Sequence, residues 1–315
     1  MTRFLVRRVI TSLPVFLLMT VIVFMLIRLV PGDPIDVMYG SEGMDAVRRA
    51  ALAHDLGLDQ PVVMQYLKWL GRALTGDLGM SYRAQMPVLK LIFQRLPATI
   101  WLSLAALLFS VIIAIPMGII SAVKRNSWAD FGAMIFAIFG ISLPQFWSGI
   151  MLVLIFAIWL KWLPSIGYIS PTENFGEFLR HLLLPAVTLG WSLAGTTTRL
   201  TRSSLLEELG RDYVRTARGK GLSERIVLWG HALRNALIPT VTMIGLQLAF
   251  LIGGAVVVEV VFAWPGIGLL VVDSIFARDY PVVQGVILII AVMVVVVNIL
   301  VDIVYTQLDP RIRLT

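Results

Sequence analysis

Long apolar segments alternate with polar segments along the chain, and the apolar segments predict membrane-spanning helices. A helix needs about 20 mainly apolar residues to cross the hydrocarbon core of a bilayer. Six segments fit or approach this pattern, and they are residues 9–27, 98–123, 131–160, 185–198, 237–258 and 282–301. The first is longer than the apolar part of a signal peptide and no A-x-A-like site follows it, so we expect an uncleaved helix. The pattern therefore predicts an all-α integral membrane protein with six transmembrane helices.

The predicted spans divide the chain into four regions. We expect a basic start and first membrane helix at 1–30, an extracytoplasmic insertion at 31–96, a transmembrane core at 97–305, and a tail at 306–315. An amphipathic helix is expected in the insertion, where apolar residues recur at helical spacing: Val63, Leu67, Leu70 and Leu74. Residues 161–184 and 259–281 are expected to be loops.

Two of the predicted spans carry unusual residues. The third is longer than one crossing needs, and Pro144 near its middle predicts a bend or a tilt. The fourth and fifth present small or hydroxyl-bearing faces, which either allow close helix packing or line a polar path. The pattern leaves these two uses open. The candidate path-lining residues are Ser192, Thr196, Gly245, Gln247 and Gly253.

Charge distribution predicts which side of the membrane each polar segment faces. With six spans, both termini lie on one side, and that side carries fifteen Lys/Arg against six Asp/Glu. The opposite side nearly balances, because the insertion at 31–96 holds seven of each. Cytoplasmic loops are enriched in Lys and Arg, so both termini and the loop at 199–236 are expected in the cytoplasm.

Composition supports a membrane protein and disfavours several other classes. The chain is 58% hydrophobic and 14% charged, whereas soluble domains are roughly 25% charged. A net charge of +7 does not indicate nucleic-acid binding, because the basic residues lie in loops between apolar segments. There is no cysteine, and the three histidines are far apart in sequence. We therefore expect no disulfide, no metal site and no bound cofactor.

No set of residues in the sequence predicts catalysis. Gly219, Lys220 and Gly221 resemble part of a phosphate loop, but the required earlier glycine is Val214 and no Ser or Thr follows the lysine. We expect no enzyme activity. The charges within the spans are Arg28, Glu259 and Asp302, all near span ends. These are interpreted as interface anchors rather than as a proton relay, which would place acidic groups near the bilayer centre.

The segment 199–239 between two spans is densely charged, with eight Lys/Arg and four Asp/Glu. Asp212 is expected to cap a short helix over 213–218, and Ser223 a second helix toward Ala236. Glycines are expected to break the first helix, where Ala217 would leave space for a partner's side chains. The predicted docking residues are Asp212, Tyr213, Val214, Arg215, Thr216, Ala217, Arg218, Gly219, Lys220 and Gly221. Binding of lipid headgroups is the alternative interpretation of these charges.

Short motifs along the whole chain resemble one family of transport proteins. The loop carries YVRTARGKGL followed by HALRNA, and the other motifs are PGDP, LGLDQP, GDLG, SLP, RDYP and LDPR. This ordered set resembles the permease subunits of binding-protein-dependent ABC importers, in the peptide and nickel branch. The sequence is most similar to the first of the two permeases in such importers. The family's usual Glu-Ala-Ala loop motif is altered here, because only Arg215, Thr216, Ala217 and Gly221 fit its spacing.

The resemblance implies a fold, partners and a mechanism. The expected fold is that of type I ABC importer permeases, in the inner membrane of a bacterial cell. The expected partners are a homologous second permease, two cytoplasmic ATPase subunits and an extracytoplasmic solute-binding protein. ATP-driven closure of the ATPases, gripping the helix at 212–221, would then drive the spans between inward and outward access.

The resemblance also implies a class of substrate, and alternatives to the substrate and to the mechanism stay open. Di- or tripeptides are the expected substrates, and glutathione, nickel chelates or another small solute are alternatives within the same class. An ion-coupled secondary transporter is an alternative from another class. Uptake by this chain alone, without ATP, would favour that alternative.

Overall fold

The computed structural model describes residues 11, 14–25 and 59–308. The predicted basic start, Arg28 and residues 309–315 therefore lie outside the described residues, together with most of the insertion at 31–96. Some residues of the described helices have no described side chain, and Asp302 is one of them.

The described residues form helices joined by short connections, and no β-strand occurs among them. In chain order the helices are α1 (Pro14–Met25), α2 (Val62–Leu74), α3 (Val88–Val123), α4 (Trp128–Ser142), α5 (Gln145–Leu152), α6 (Phe175–Leu209), α7 (Asp212–Gly219), α8 (Glu224–Ile226), α9 (Leu233–Gly254), α10 (Val256–Val261), α11 (Ile267–Phe276) and α12 (Tyr280–Leu308). Wider π-helical turns continue α5 over Val153–Trp159 and join α8 to α9 over Val227–Ala232.

Each predicted span overlaps a described helix, although the ends of the first lie outside the described residues and the fourth is part of the longer α6. The all-α membrane fold is confirmed. Among the described residues, three helical runs are long and apolar enough to cross a membrane: Val88–Val123, Glu224–Leu251 and Tyr280–Val301. A fourth crossing arises if the α4 and α5 pair, Trp128–Ser142 with Gln145–Trp159, is one broken span bent by 111°. The break lies at Pro144, where the sequence predicted a bend or a tilt.

Two predicted loops are wrong. The loop expected at 161–184 ends early, because α6 begins at Phe175 with the Asn174 side chain accepting a hydrogen bond from the Glu177 N–H. This helix is 35 residues long and continues to Leu209, well into the charged segment. The loop expected at 259–281 is also mostly helical, since it holds the end of α10 and all of α11. The first error comes from polar residues that stay on a helix because tertiary packing holds them there. The second comes from an apolar helix, Ile267–Phe276, that is too short to have been read as a membrane span.

Contacts divide the chain into two compact units. One contains Met1–Pro97 and Leu269–Val295, and the other contains Ala98–Gly268 and Val296–Thr315, in each case as far as the residues are described. In the first unit, the predicted amphipathic helix is α2, and it packs on α1 through aromatic side chains. Tyr66 shares a 2.8 Å hydrogen bond with Thr20, and its ring lies 5.3 Å from that of Phe24.

The second unit is organised around α6. Its main apolar cluster combines residues of α3, α6, α9 and α10 with Trp264: Ala98, Leu102, Ala106, Phe178, Leu182, Leu184, Ala186, Leu189, Leu193, Leu251, Ala255, Val258, Phe262 and Trp264. Two glycines of α6 allow close approach of neighbouring helices. A Cβ on Gly195 would lie 2.5 Å from the Ala137 carbonyl oxygen, and one on Gly190 would lie 2.6 Å from that of Ala106. These small residues of the fourth predicted span therefore serve close helix packing.

Candidate functional site

The short helix predicted in the charged segment is α7, which runs from Asp212 to Gly219. Arg211 holds the capping position, with extended backbone angles and no side-chain hydrogen bond to the helix. Asp212 is therefore not the cap that the sequence predicted. Its carboxylate is in the first turn, where the positive end of the helix dipole favours negative charge. Gly221, at φ +79°, ends the following turn in the left-handed region, as the predicted glycine break requires.

One face of α7 is anchored to the rest of its own unit. Val214 is fully buried and Ala217 is nearly so. They join a second apolar cluster with residues of α3, α6 and the run from α8 to α9: Ala122, Leu205, Val227, Ala232, Leu233 and Ala236. The expectation that Ala217 leaves space for a partner is therefore wrong. Its small size fits the chain's own packing.

The opposite face of α7 is exposed and charged. Asp212, Arg215, Thr216 and Lys220 all lie on the surface. The Thr216 hydroxyl donates to the Asp212 carbonyl at 2.9 Å, and the Arg215 guanidinium lies 3.6 Å from the Asp212 carboxylate. An exposed pair of this kind adds little stability. Arg215 and Lys220 consequently remain available to acidic groups of a partner.

The start of α7 is tied to the end of α6 by a small polar cluster. Arg211 forms ion pairs at 2.9 Å with both Glu207 and Glu208. The Tyr213 hydroxyl donates to Glu208 at 2.5 Å and accepts from the Asn235 amide at 3.2 Å. Burial raises the pKa of the Tyr213 hydroxyl above its ordinary value, and the bond to Glu208 raises it further. Tyr213 thus stays a hydrogen-bond donor at physiological pH.

The connection after α7 is closed by a two-point ion pair. Arg218 donates to the two carboxylate oxygens of Glu224 at 2.7 and 3.1 Å. Ser223 holds the capping position of α8, as predicted, but its side chain makes no capping hydrogen bond there. The predicted arrangement of helix, glycine turn and helix is therefore present. The second helix continues without a break into α9.

The candidate path residues have different surroundings. Gln247 is buried, and its amide donates to Thr197 Oγ1 at 3.0 Å and to the Leu193 carbonyl at 3.2 Å. It thereby fastens α9 to α6. The other four candidates are more accessible, because Ser192, Thr196 and Gly245 are half-buried and Gly253 is exposed. Among the described side chains, no group of three or more His, Cys, Asp or Glu could hold a metal ion.

Glu259 is not the interface anchor that the sequence predicted. Its side chain is fully buried and accepts a hydrogen bond from Thr99 Oγ1 at 2.7 Å. The Ile267 backbone N–H donates to that same hydroxyl oxygen at 2.9 Å, and the Trp264 indole donates to the Ala98 carbonyl at 2.9 Å. The segment between α10 and α11 is held against the start of the second unit in this way. Sequence patterns did not predict this packing role of Glu259, because its hydrogen-bond partner Thr99 is 160 residues away.

Two of the sequence motifs, GDLG and RDYP, lie close together in the first unit. Asp279 is buried and accepts hydrogen bonds from Ser81 Oγ at 2.5 Å and from the backbone N–H groups of Tyr82 and Arg83 at 3.1 and 3.2 Å. Gly79, the last residue of GDLG, lies just before this turn and has a φ of +85°. The carboxylate of one motif therefore fixes the turn that follows the other.

The chain matches two families of membrane transport proteins. Residues 114–314 match the family described as binding-protein-dependent transport system inner membrane component, and residues 1–105 match the N-terminal family of such membrane components. This chain belongs to that family. The resemblance found in the motifs is confirmed, and the permease is a multi-pass membrane protein.

Curated relatives match the permease over its whole length. It is 44% identical to the di/tripeptide transport system permease protein DppB of Pseudomonas aeruginosa (strain UCBPP-PA14), with 99% of each chain covered. It is 43% identical to a putative peptide permease protein of Brucella ovis, with both chains fully covered. It is 39% identical to the dipeptide transport system permease protein DppB of Escherichia coli (strain K12), with 99% of each chain covered.

Solved structures share the fold of the permease at low sequence identity. An inward-facing structure of the MetNI methionine ABC transporter aligns with a TM-score of 0.58 at 17% identity, covering 70% of this chain and 96% of the other. An amino acid ABC transporter structure aligns with a TM-score of 0.54 at 13% identity, covering 69% and 94%. The permease therefore has the type I ABC importer fold.

Proposed function

We propose that this permease forms half of the translocation path of an ATP-driven peptide importer. A homologous second permease supplies the other half, two cytoplasmic ATPase subunits supply the energy, and an extracytoplasmic binding protein delivers the substrate. Family membership supports this general composition. The observation that carries the proposal for this chain is the geometry of α7, which has one anchored face and one exposed basic face.

Docking of an ATPase through α7 is supported by two features of the helix. A docking element must transmit force to the spans, and α7 is fastened to α6 through Arg211 and Tyr213. It must also leave groups for the partner, and Arg215 and Lys220 are exposed on the outer face. Arginine is suited to this use because its planar fork pairs with carboxylates at two points.

The orientation that we propose follows from charge. Both termini and the segment 199–236 face the cytoplasm, because that side carries the excess of Lys and Arg. The insertion at 31–96 then faces outward, where a binding protein would meet it. The turn fixed by Asp279 belongs to this outer surface and offers exposed side chains such as Arg83 and Gln85.

The path itself is proposed to run along α6 and α9. Ser192, Thr196 and Gly245 are half-buried and Gly253 is exposed, so each retains some accessible surface that a second permease could face. Gln247 is the weakest of the original candidates, because its amide is already bonded to Thr197 and Leu193. We propose that it supports the path by holding the two helices together.

Di- and tripeptides are the proposed substrates. The Pseudomonas aeruginosa and Escherichia coli relatives are named as di/tripeptide and dipeptide permeases, and each covers nearly the whole chain. Glutathione, nickel chelates and another small solute remain the alternatives within the same importer class. The binding protein would set much of this choice, so the ligand that it carries when purified tests the substrate directly.

The docking proposal is tested by reversing an exposed charge. Arg215→Glu should reduce the amount of ATPase that co-purifies with the permease, without changing its thermal unfolding midpoint. Arg180→Glu is the control, since Arg180 is also exposed and pairs with a carboxylate three residues earlier, Glu177; it additionally donates to the Trp162 carbonyl at 3.1 Å. Equal ATPase recovery with both variants would contradict docking through α7. Ala217 is unsuitable for this test because a large residue there would disturb internal packing.

The transport proposal is tested by reconstitution. The permease, its partner permease and the ATPases are placed in liposomes, and uptake of tritiated dialanine delivered by the binding protein is measured. Uptake should require ATP and every subunit. Uptake by this chain alone, or uptake driven by an ion gradient without ATP, would contradict the proposal and favour a secondary transporter.

A further inference from the structure

A partly buried ion pair, in which 24% of the Arg202 side chain is exposed, lies where three helical segments of the second unit meet. Asp130 in the first turn of α4 is only 4% exposed, and Arg202 lies near the end of α6. Arg202 Nε donates to Asp130 Oδ1 at 2.8 Å, and its Nη2 donates to Oδ2 at 2.8 Å. The pair therefore has the two-point geometry that fixes both side chains in direction as well as distance.

The same carboxylate also holds the connection between α3 and α4. Ser121 near the end of α3 donates its hydroxyl to Oδ1, and the Asn126 backbone N–H donates to Oδ2 at 3.0 Å. Asn126 has a φ of +61°, in the left-handed region that an asparagine tolerates. Four donors from α3, the connection and α6 thus converge on Asp130. Its acceptor sites are all used by this chain.

Helix α6 connects this ion pair to the proposed docking helix. Arg202 is seven residues before the end of α6 at Leu209, which is about 10 Å along the helix axis. Glu207 and Glu208 in that last stretch hold Arg211 and Tyr213 at the start of α7. A displacement of α7 therefore reaches the end of α6 through these charged groups, and it reaches α3 through the apolar cluster that contains Ala122. Arg202 is the next charged side chain of α6 that binds another helix.

We propose that the Asp130–Arg202 pair transmits movement of α7 to the helical hairpin of α3 and α4. This inference rests on the proposed docking of an ATPase at α7. With the pair intact, α6 and the hairpin move together when the ATPases close. With the pair broken, α7 and α6 move while the hairpin lags, so ATP hydrolysis continues but drives less transport.

The form of the contact favours a positioning role over simple stabilisation. The ion pair is a weak source of stability, because the cost of burying the Asp130 carboxylate offsets much of its attraction to the half-buried Arg202. Apolar contacts along the rest of the α4 and α6 interface already hold these helices together, as the close approach of Gly195 to Ala137 shows. The ion pair adds a fixed orientation of Arg202 on α6 relative to α4 and to the connection between α3 and α4. Transmission of movement between helices requires such a fixed orientation.

Arg202→Lys is the principal test, because lysine keeps the charge and loses the two-point geometry. Asp130→Asn is the second variant, and it keeps the shape and loses the charge. Arg180→Gln is the matched control, since it removes an exposed ion pair at the other end of the same helix. Each variant is assembled as the full complex in liposomes. ATPase recovery, ATP hydrolysis and uptake of tritiated dialanine are then measured on the same samples.

Both variants should retain ATPase recovery and hydrolysis while dialanine taken up per ATP falls about two- to thirtyfold, the range expected for residues that couple distant sites. The control should keep the unmodified ratio. An unchanged ratio in Arg202→Lys would overturn the proposal, and so would loss of ATPase recovery in parallel with uptake, since the pair would then only shape the docking surface. If the proposed function itself were wrong, no ATPase would co-purify with the unmodified permease.

Discussion

The carboxylate of Glu259 occupies the space that a side chain on Gly266 would need. Glu259 is fully buried, and Thr99 donates a hydrogen bond to it at 2.7 Å. Thr99 in turn accepts from the Ile267 backbone, so the carboxylate is held on one side and covered by the connecting segment on the other. A methyl group on Gly266 or Gly268 would overlap the carboxylate. Gly266 of this WPGIG segment is therefore required by the space that the Glu259 side chain occupies, and Gly268 by that side chain together with Val256.

Gly266→Ala should destabilise the permease by about 1–3 kcal/mol, because overpacking against a held group forces the segment to shift. The measurement is the thermal unfolding midpoint of the purified protein in detergent. Gly132→Ala is the matched control, since nothing lies within 4 Å of a Cβ at that helical position. The control should leave the midpoint unchanged or raise it slightly, because alanine favours helix over glycine.

A double-mutant cycle with Glu259→Ala identifies the cause of that loss. Removal of the carboxylate makes room for the added methyl group, so Gly266→Ala should be less costly in the Glu259→Ala background than in the unmodified chain. Additive effects of the two substitutions would show that the glycine is needed for another reason, such as backbone conformation.

Asp279→Asn should loosen the turn at residues 81–83. The Tyr82 N–H donates to Oδ1 and the Arg83 N–H to Oδ2, so an asparagine keeps the acceptor of one and places an amide group opposite the other. Leaving a buried backbone donor without its acceptor costs about 1–3 kcal/mol. Hydrogen exchange at one of the two amides should therefore accelerate. Asp273→Asn is the control, because Asp273 is exposed on α11, and equal exchange in both variants would contradict the role of Asp279.

The link between α6 and α7 should be sensitive to alkaline pH through Tyr213. Burial and the bond to Glu208 raise the pKa of Tyr213 above its ordinary value of 10.0. The folded pKa thus exceeds the unfolded one, so the stability that this bond contributes is complete below about pH 10 and is lost as the pH rises through the folded pKa. NMR of carbon-labelled tyrosine should show one late-titrating resonance, identified by its absence in Tyr213→Phe. Glu208→Gln should bring that pKa down, and an unshifted value would contradict the link.

Local patterns in the sequence predicted the elements of this fold well. The apolar segments located each span, because lipid requires a long run of apolar residues with internally bonded backbone. The short helix α7 was also predicted to within one residue at each end, since glycines and charges mark its limits. The position of Asp212 was wrong by one residue, because it lies in the first turn and not at the cap. Aspartate is common at both positions.

The contacts between distant segments could not be predicted in the same way. Asp130 and Arg202 are 72 residues apart, and Glu259 and Thr99 are 160 residues apart. Each of these residues resembles an ordinary surface or span-end residue when only its neighbours in sequence are considered. Ala217 shows the same limit, since an alanine between basic residues fits either a partner's pocket or the chain's own core. Only the positions of the surrounding helices decide between the two.

Gln247 gives a direct test of packing against path lining. Its amide donates to Thr197 Oγ1 and to the Leu193 carbonyl within a buried interface. Gln247→Leu removes these donors at similar volume, so the permease should lose about 1–3 kcal/mol of stability and unfold at a lower temperature. Ser192→Ala is the control at a half-buried candidate path residue, where the midpoint should not change. A raised KM for dialanine uptake in Gln247→Leu, at an unchanged midpoint, would contradict the packing role. The path would then include Gln247, and its bond to Thr197 would have to open when substrate passes.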